Sequence, residues 1–165
     1  MFIQPSKFPA RVLAGIAIAS FAALAIALIA QHQFGVKPCP WCVMQRGIFI
    51  LIGAIALLGL VLRGLPRKGA LLLVAVLAAC GFVAAMWQNQ VASQSLSCAL
   101  TLADRINTAL GLEDSLPYVF MVTGNCAEAA AYRLLGLPYE VWSGGLYLLM
   151  AGVAFIAIRK TPGKR

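Results

Sequence analysis

"VLAGIAIASFAALAIALIA", residues 12 to 30, contains no charged side chain. As a helix rising about 1.5 Å per residue it nearly matches a hydrocarbon core about 30 Å thick. Three further stretches have similar length and character: 43–62, 69–87 and 141–158. The second carries Arg46 near its start, where a long side chain can snorkel toward the interface, and the fourth is the shortest. Four soluble core helices of this kind would leave too little polar chain to cover them, because the 165 residues are 62% hydrophobic and only 11% charged, with a mean hydropathy of +0.90. The expectation is an all-α membrane protein, a single unit over residues 1–165 built as a four-transmembrane-helix bundle with no large soluble domain. The first run follows Lys7 and Arg11, and "AIA" at 25–27 mimics a signal cleavage site. It is longer than the apolar region of about 7–15 residues in a secretory signal, so it is read as the first helix.

Charge placement sets the orientation, since short cytoplasmic loops collect Lys and Arg. Of 13 basic residues, nine fall at three places: Lys7 and Arg11; Arg63, Arg67 and Lys68; Arg159, Lys160, Lys164 and Arg165. With four spans these places share one side. Both termini are therefore expected in the cytoplasm, with loops 31–42 and 88–140 exported. The net charge of +8 is on this reading a topology signal, and no aromatic-interleaved basic patch points to nucleic acid. The long loop holds all five acids, Asp104, Glu113, Asp114, Glu128 and Glu140, against Arg105 and Arg133. Within it Leu102, Ile106 and Leu110 mark a short one-sided helix. Segments 116–122 and 129–142 are too apolar for free solution. They lie along the membrane surface or pack on the bundle, and either keeps Cys98 and Cys126 near the bilayer.

Cys39, Cys42, Cys98 and Cys126 all fall in the exported segments, where disulfides persist. Cys80, mid-span, is expected to be a small buried apolar residue. In "KPCPWCVMQR", residues 37–46, two thiols stand at the spacing of a redox pair. Pro40 suits the first position of a helix, which places Cys39 near the positive end of its dipole. Arg46, four residues after Cys42, shares its face and favours a thiolate there. A structural bridge closing so small a ring gains little loop entropy. A metal site would want further matching ligands, and Cys98 and Cys126 lack CxxC spacing. His32 is read as an interfacial polar residue, and Trp41 as either a membrane anchor or a wall of a small-molecule site. A bridge in the exported loop would be of the exchangeable kind, open to attack by a partner's thiolate.

These residues resemble the DsbB disulfide-bond-formation proteins, bacterial inner-membrane enzymes that reoxidise the periplasmic oxidase DsbA and pass electrons to quinone. The resemblance is carried by "KPCPWCVMQR", "SCAL" (97–100), "YVFMVTGNCAE" (118–128) and "LGLPYEVW" (135–142), and covers nearly the whole chain. It implies a four-helix bundle with cytoplasmic termini, in agreement with the charge count. It implies that Cys98 forms the mixed disulfide with a DsbA-like partner, that the released Cys126 opens the first pair at Cys39, and that Cys42 is left as the thiolate facing the quinone. Arg46 matches the arginine of quinone binding; whether the quinone is ubiquinone or menaquinone is left open. Oxidising a strongly oxidising partner needs an acceptor more oxidising still, and a chain without haem or flavin motifs borrows one from the lipid. The alternative is a metal-carrying or structural cysteine-bearing membrane protein.

Overall fold

The fold is taken from a computed structural model of the chain, in which residues 7–94 and 101–161 are described. Four long helices dominate: α1 (Phe8–Phe34), α2 (Pro40–Val61), α3 (Leu65–Gln90) and, at the end of the chain, α8 (Tyr139–Lys160). Between α3 and α8 lie a 3-10 turn (Ala92–Gln94), short helices α4 (Leu102–Ala109), α5 (Leu112–Ser115), α6 (Pro117–Phe120) and α7 (Cys126–Ala131), and a two-residue hairpin, β1 (Arg133–Leu134) and β2 (Leu137–Pro138). All four long helices are apolar and long enough to cross a membrane. The chain is an all-α, multi-pass membrane protein.

The long helices outrun the apolar runs because local backbone chemistry sets their ends. Proline stands in the first turn of α1, α2 and α3, where its missing N–H costs nothing and its fixed φ favours the helix. At the far end of α1, Gly35 takes the left-handed conformation (φ 66°) and Val36 N–H bonds back to Ala30 O at 3.1 Å, so the chain turns directly into the cysteine segment.

Each long helix contributes one narrow stripe to the core: Leu13, Ile16 and Ala17 from α1; Phe49, Ile52 and Ala56 from α2; Leu71, Val74 and Ala78 from α3; Tyr147, Met150, Ala154 and Ala157 from α8. The recurrence at three and four residues is the helical period. Many of these side chains are small, which lets the backbones approach where no hydrophobic force distinguishes neighbour from lipid. The outward faces carry Ile18, Ile29, Leu51, Leu58, Leu73, Val83, Leu148 and Phe155, all exposed from the protein. Such a surface suits a hydrocarbon solvent.

Gly81 of α3 fixes the depth of α8. The Tyr147 ring lies flat against it, so a Cβ at Gly81 would come within 2.6 Å of the ring. Tyr147 also stacks on Phe49 at 4.2 Å and donates to Gln45 O at 2.8 Å. Gly81→Ala forces this buried ring aside and is expected to destabilise the bundle by about 1–3 kcal/mol. Thermal unfolding in detergent measures it.

Up-and-down winding gathers the basic residues at one end and the cysteine segments at the other. At the basic end, Lys160 Nζ sits 4.4 Å above the Phe8 ring, and Arg67 donates to Gly59 O and Leu60 O, both at 3.2 Å.

Candidate functional site

The first cysteine pair is built by the start of α2. Cys39 is the extended residue before the helix, Pro40 is the first helical residue, and Val43 N–H closes the first turn on Cys39 O at 3.0 Å. Cys42 is thereby brought back over Cys39, and the two free thiols lie 3.0 Å apart, Sγ to Sγ. Cys39 is completely buried and Cys42 half-buried. The hydrogen bond to Cys42, and then burial, push the Cys39 thiol far above the usual thiol range. Negative charge on the pair therefore rests on Cys42.

The second cysteine-bearing segment is strapped onto this turn. Thr123 N–H and Gly124 N–H both donate to Pro38 O at 3.1 Å. Lys37 Nζ reaches Glu128 Oε1 at 2.8 Å, and this carboxylate holds the lysine above its ordinary value. Asn125 caps α7 by accepting from Glu128 N–H at 2.7 Å, which sets Cys126 as the first residue of that helix. Cys126 is fully buried and disulfide-bonded. It shares one apolar cluster with Cys39, Trp41, Ala84, Ala103 and Ala129. Cys98 lies outside the described residues.

The close docking depends on Gly124. A Cβ there would stand 2.8 Å from Lys37 Cβ and 2.9 Å from Lys37 O, and a backbone carbonyl cannot swing away. Gly124→Ala is expected to lift the segment off Pro38 and to lower stability by about 1–3 kcal/mol. A fall in the unfolding midpoint in detergent checks it.

Arg46 is 6% exposed. Its guanidinium donates to Gln31 Oε1 and, at 3.4 Å, to Ala27 O, both on α1, and to Val119 O on α6 at 2.7 Å. No carboxylate among the described residues pairs with it, so its charge is held by neutral acceptors and lies within electrostatic reach of both thiols. Buried cations are kept only where such bonds satisfy them.

A cavity of about 770 Å³ opens beside these groups, walled by α1, α2, α8 and the hairpin. Ile26 and Leu149 line it and are also exposed on the outer surface, so it communicates with the lipid-facing side between α1 and α8. Its walls are chiefly apolar, and at the cysteine end they carry Cys42, Gln45, Arg46, Gln88, Glu140 and Ser143. Size and lining suit a largely apolar molecule with a polar head.

The family description "Disulfide bond formation protein DsbB" matches residues 9–157. The chain belongs to the DsbB family. A disulfide bond formation protein B of Polaromonas sp. is 32% identical over 161 residues, 95% of each chain. Namesakes from Verminephrobacter eiseniae and Azoarcus sp. are each 35% identical, the first over 92% of this chain and 86% of its own, the second over 87% of both. This DsbB-family chain is accordingly a membrane thiol oxidoreductase of disulfide bond formation, and the metal-carrying alternative is not favoured.

Of the residues singled out from sequence, the structure brings Cys39, Cys42 and Arg46 to one end of α2 and buries Cys126 in the same apolar cluster as Cys39. Cys80 is a correction. It is exposed on the outside of α3, about 200° round the helix from core residue Ala78, and faces lipid instead of the protein interior. Trp41 is 5% exposed and packs in the cysteine cluster, outside the cavity lining, so it neither anchors at the surface nor walls the cavity. His32 stacks on Tyr118 at 3.9 Å, and its Nε2 lies 2.9 Å from Tyr118 O. Leu102 of α4 and Leu110 just past its end turn outward, while Ala103 and Asn107 face inward and Asn107 donates to Pro40 O at 2.9 Å.

Sequence reasoning passed over Gln31, Gln45, Gln88, Glu140 and Ser143. Their common signal is a polar residue at the cysteine end of an otherwise greasy helix, which is costly in lipid unless it faces the bundle.

Proposed function

We propose that this chain is a quinone-dependent thiol oxidase of the bacterial inner membrane that reoxidises a periplasmic DsbA-like dithiol oxidase. The observation that supports this reading is the two-sided setting of the first pair: Cys42 looks into the lipid-connected cavity beside Arg46, while Cys39 is buried in the apolar cluster that also holds Cys126. Cys39, Cys42, Cys98 and Cys126 are assigned to thiol exchange, and Arg46 with the cavity walls to holding the quinone. In this reading the bridge that Cys126 carries is the exchangeable one, and Cys98 is assigned as its other sulfur.

In this scheme a partner thiolate attacks Cys98 Sγ; a bond forms between partner and Cys98, and Cys126 departs with the electron pair. Cys126 then attacks Cys39 Sγ, and Cys42 departs in turn as a thiolate. The partner's second thiol closes the partner's own disulfide and frees Cys98. Attack of Cys98 on Cys126 restores the loop bridge and leaves Cys39 and Cys42 reduced. The tight docking of residues 123–126 on Pro38 holds the second attack within reach. A quinone bound in the cavity supplies a two-electron, two-proton acceptor. Arg46, unpaired with any carboxylate among the described residues, orients the quinone's polar head and balances charge on Cys42.

The clustering of basic residues at the opposite end of the bundle supports cytoplasmic termini and periplasmic cysteines. Outward-facing Leu102 and Leu110, with exposed Leu116 and Tyr118, support a second loop lying partly on the membrane surface, within a single membrane unit over residues 1–165. Purified protein mixed with a reduced DsbA-like partner should reduce one quinone per dithiol oxidised, followed by quinone absorbance, with either ubiquinone or menaquinone. Four free thiols with bound copper or zinc and no quinone reduction would overturn the reading. So would labelling of Cys42 only from the cytoplasmic side.

A further inference from the structure

Three neutral side chains from three helices form a directed hydrogen-bond chain that ends on the first cysteine pair. Ser143 Oγ of α8 donates to Gln45 Oε1 of α2 at 2.6 Å; Gln45 Nε2 donates to Gln88 Oε1 of α3 at 2.7 Å; Gln88 Nε2 donates to Cys42 Sγ at 3.2 Å and to Cys39 Sγ at 3.6 Å. Gln88 is 2% exposed and Gln45 5%. Every dipole points the same way, with the positive end toward sulfur, and bonds arranged head to tail polarise one another. Tyr147, donating to Gln45 O, fixes the turn of α2 that carries the middle link. The approach is closer to Cys42 than to Cys39, on the thiol that lines the cavity.

We infer that Gln88 is a further catalytic residue, whose amide N–H holds negative charge on Cys42 Sγ, and that Gln45 and Ser143 are positioning residues behind it. This rests on the reading that Cys42 is the leaving sulfur. When a thiolate attacks Cys39 Sγ, a new S–S bond forms, the Cys39–Cys42 bond breaks, and its electron pair departs on Cys42 Sγ as a thiolate. A preformed N–H donor in a site shielded from water stabilises that developing charge without reorganising. Arg46 supplies the full charge; Gln88 supplies a directed bond from the opposite element. The arrangement favours the opened pair over the disulfide and so makes the Cys39–Cys42 bridge more oxidising.

Two measurements on the full chain in detergent, neither containing quinone, test this. In a Cys39→Ser background, the rate at which iodoacetamide alkylates Cys42 at pH 7 is followed by peptide mass spectrometry. In the otherwise unaltered protein, the Cys39–Cys42 equilibrium is measured against a glutathione buffer. Gln88→Leu is expected to slow alkylation about tenfold, the effect of losing a hydrogen bond to a charged group. It should shift the equilibrium toward disulfide by about the same factor, or about 30 mV for a two-electron couple. Ser143→Ala, which leaves Gln88 in place, should move both readings in the same direction by about twofold. Gln94→Leu, on an exposed side chain, should move neither. Wild-type values in a folded Gln88→Leu protein overturn the inference. If Gln88→Leu does not fold, unchanged values in Ser143→Ala overturn it. Loss of both effects with quinone reduction intact removes this inference alone, whereas both effects without any quinone reduction remove the proposed function alone.

Discussion

Cys42→Ser should abolish turnover, lowering quinone reduction by a reduced dithiol partner about a thousandfold or more, the scale on which loss of a nucleophile or leaving group acts. The reason lies in where the sulfur sits. Cys39 is sealed in the cysteine cluster and its thiol is pushed far up by its bond to Cys42 and by burial, so it cannot replace Cys42 at the cavity wall. A serine hydroxyl in that place neither bridges to Cys39 nor leaves as an anion near neutral pH. Cys39→Ser, Cys98→Ser and Cys126→Ser should be equally inactive, but they should fail at different steps. Cys126→Ser, offered the partner in its oxidised form, should still form a mixed disulfide, the Cys98 thiolate opening the partner's own bridge and the partner's second sulfur departing as a thiolate. Cys42→Ser should trap the Cys39–Cys126 stage no better than wild type, because no bridge exists to be opened. Non-reducing gels separate these cases. Cys80→Ser, altering a lipid-facing atom far from the pair, should turn over at the wild-type rate. An active Cys42→Ser protein would refute the scheme.

Arg46→Lys should raise the quinone KM about 10- to 100-fold with a smaller change in kcat, the loss of one or more hydrogen bonds to a charged group. The planar fork of arginine reaches Gln31 and Ala27 on α1 and Val119 on α6 together. An ammonium on a shorter stem keeps the charge but donates from one point and cannot span those acceptors. Arg46→Leu should go further. It removes the cation and leaves the buried Gln31 side chain and the Val119 carbonyl without their donor, each costing about 1–3 kcal/mol. Its melting temperature in detergent should fall as well as its affinity. A lysine variant with wild-type KM would show that the guanidinium serves only to tie α6 to the bundle.

The two substitutions probe features of different legibility. The greasy runs, the basic clusters at alternate ends and the CxxC turn are local patterns, and each has one physical outcome whatever surrounds it. A charge-free run of that length must span or be covered, Pro40 suits the first position of a helix, and in that helix Arg46 shares a face with Cys42. The family resemblance followed from four short stretches of sequence, and the match over residues 9–157 agrees with it. Gln88 was harder to place because an amide just past an apolar run looks the same whether it faces water, lipid or a neighbour. Cys80 failed for the complementary reason: being mid-span says nothing about which side of the helix meets protein.

Sequence alone therefore determined how many helices are long and apolar enough to cross, which ends carry charge and that Cys39, Cys42 and Arg46 share one end of a helix, since hydropathy and spacing act along one chain. Only the packing of four helices decided the rest. It sent Cys80 outward, enclosed Trp41, aligned Ser143, Gln45 and Gln88 on one sulfur, and left Arg46, unpaired with any carboxylate among the described residues, beside a cavity open to lipid. These outcomes depend on helix rotation and depth, set by small contacts such as Tyr147 on Gly81. Such contacts arise between segments far apart in the chain, and no local pattern encodes them.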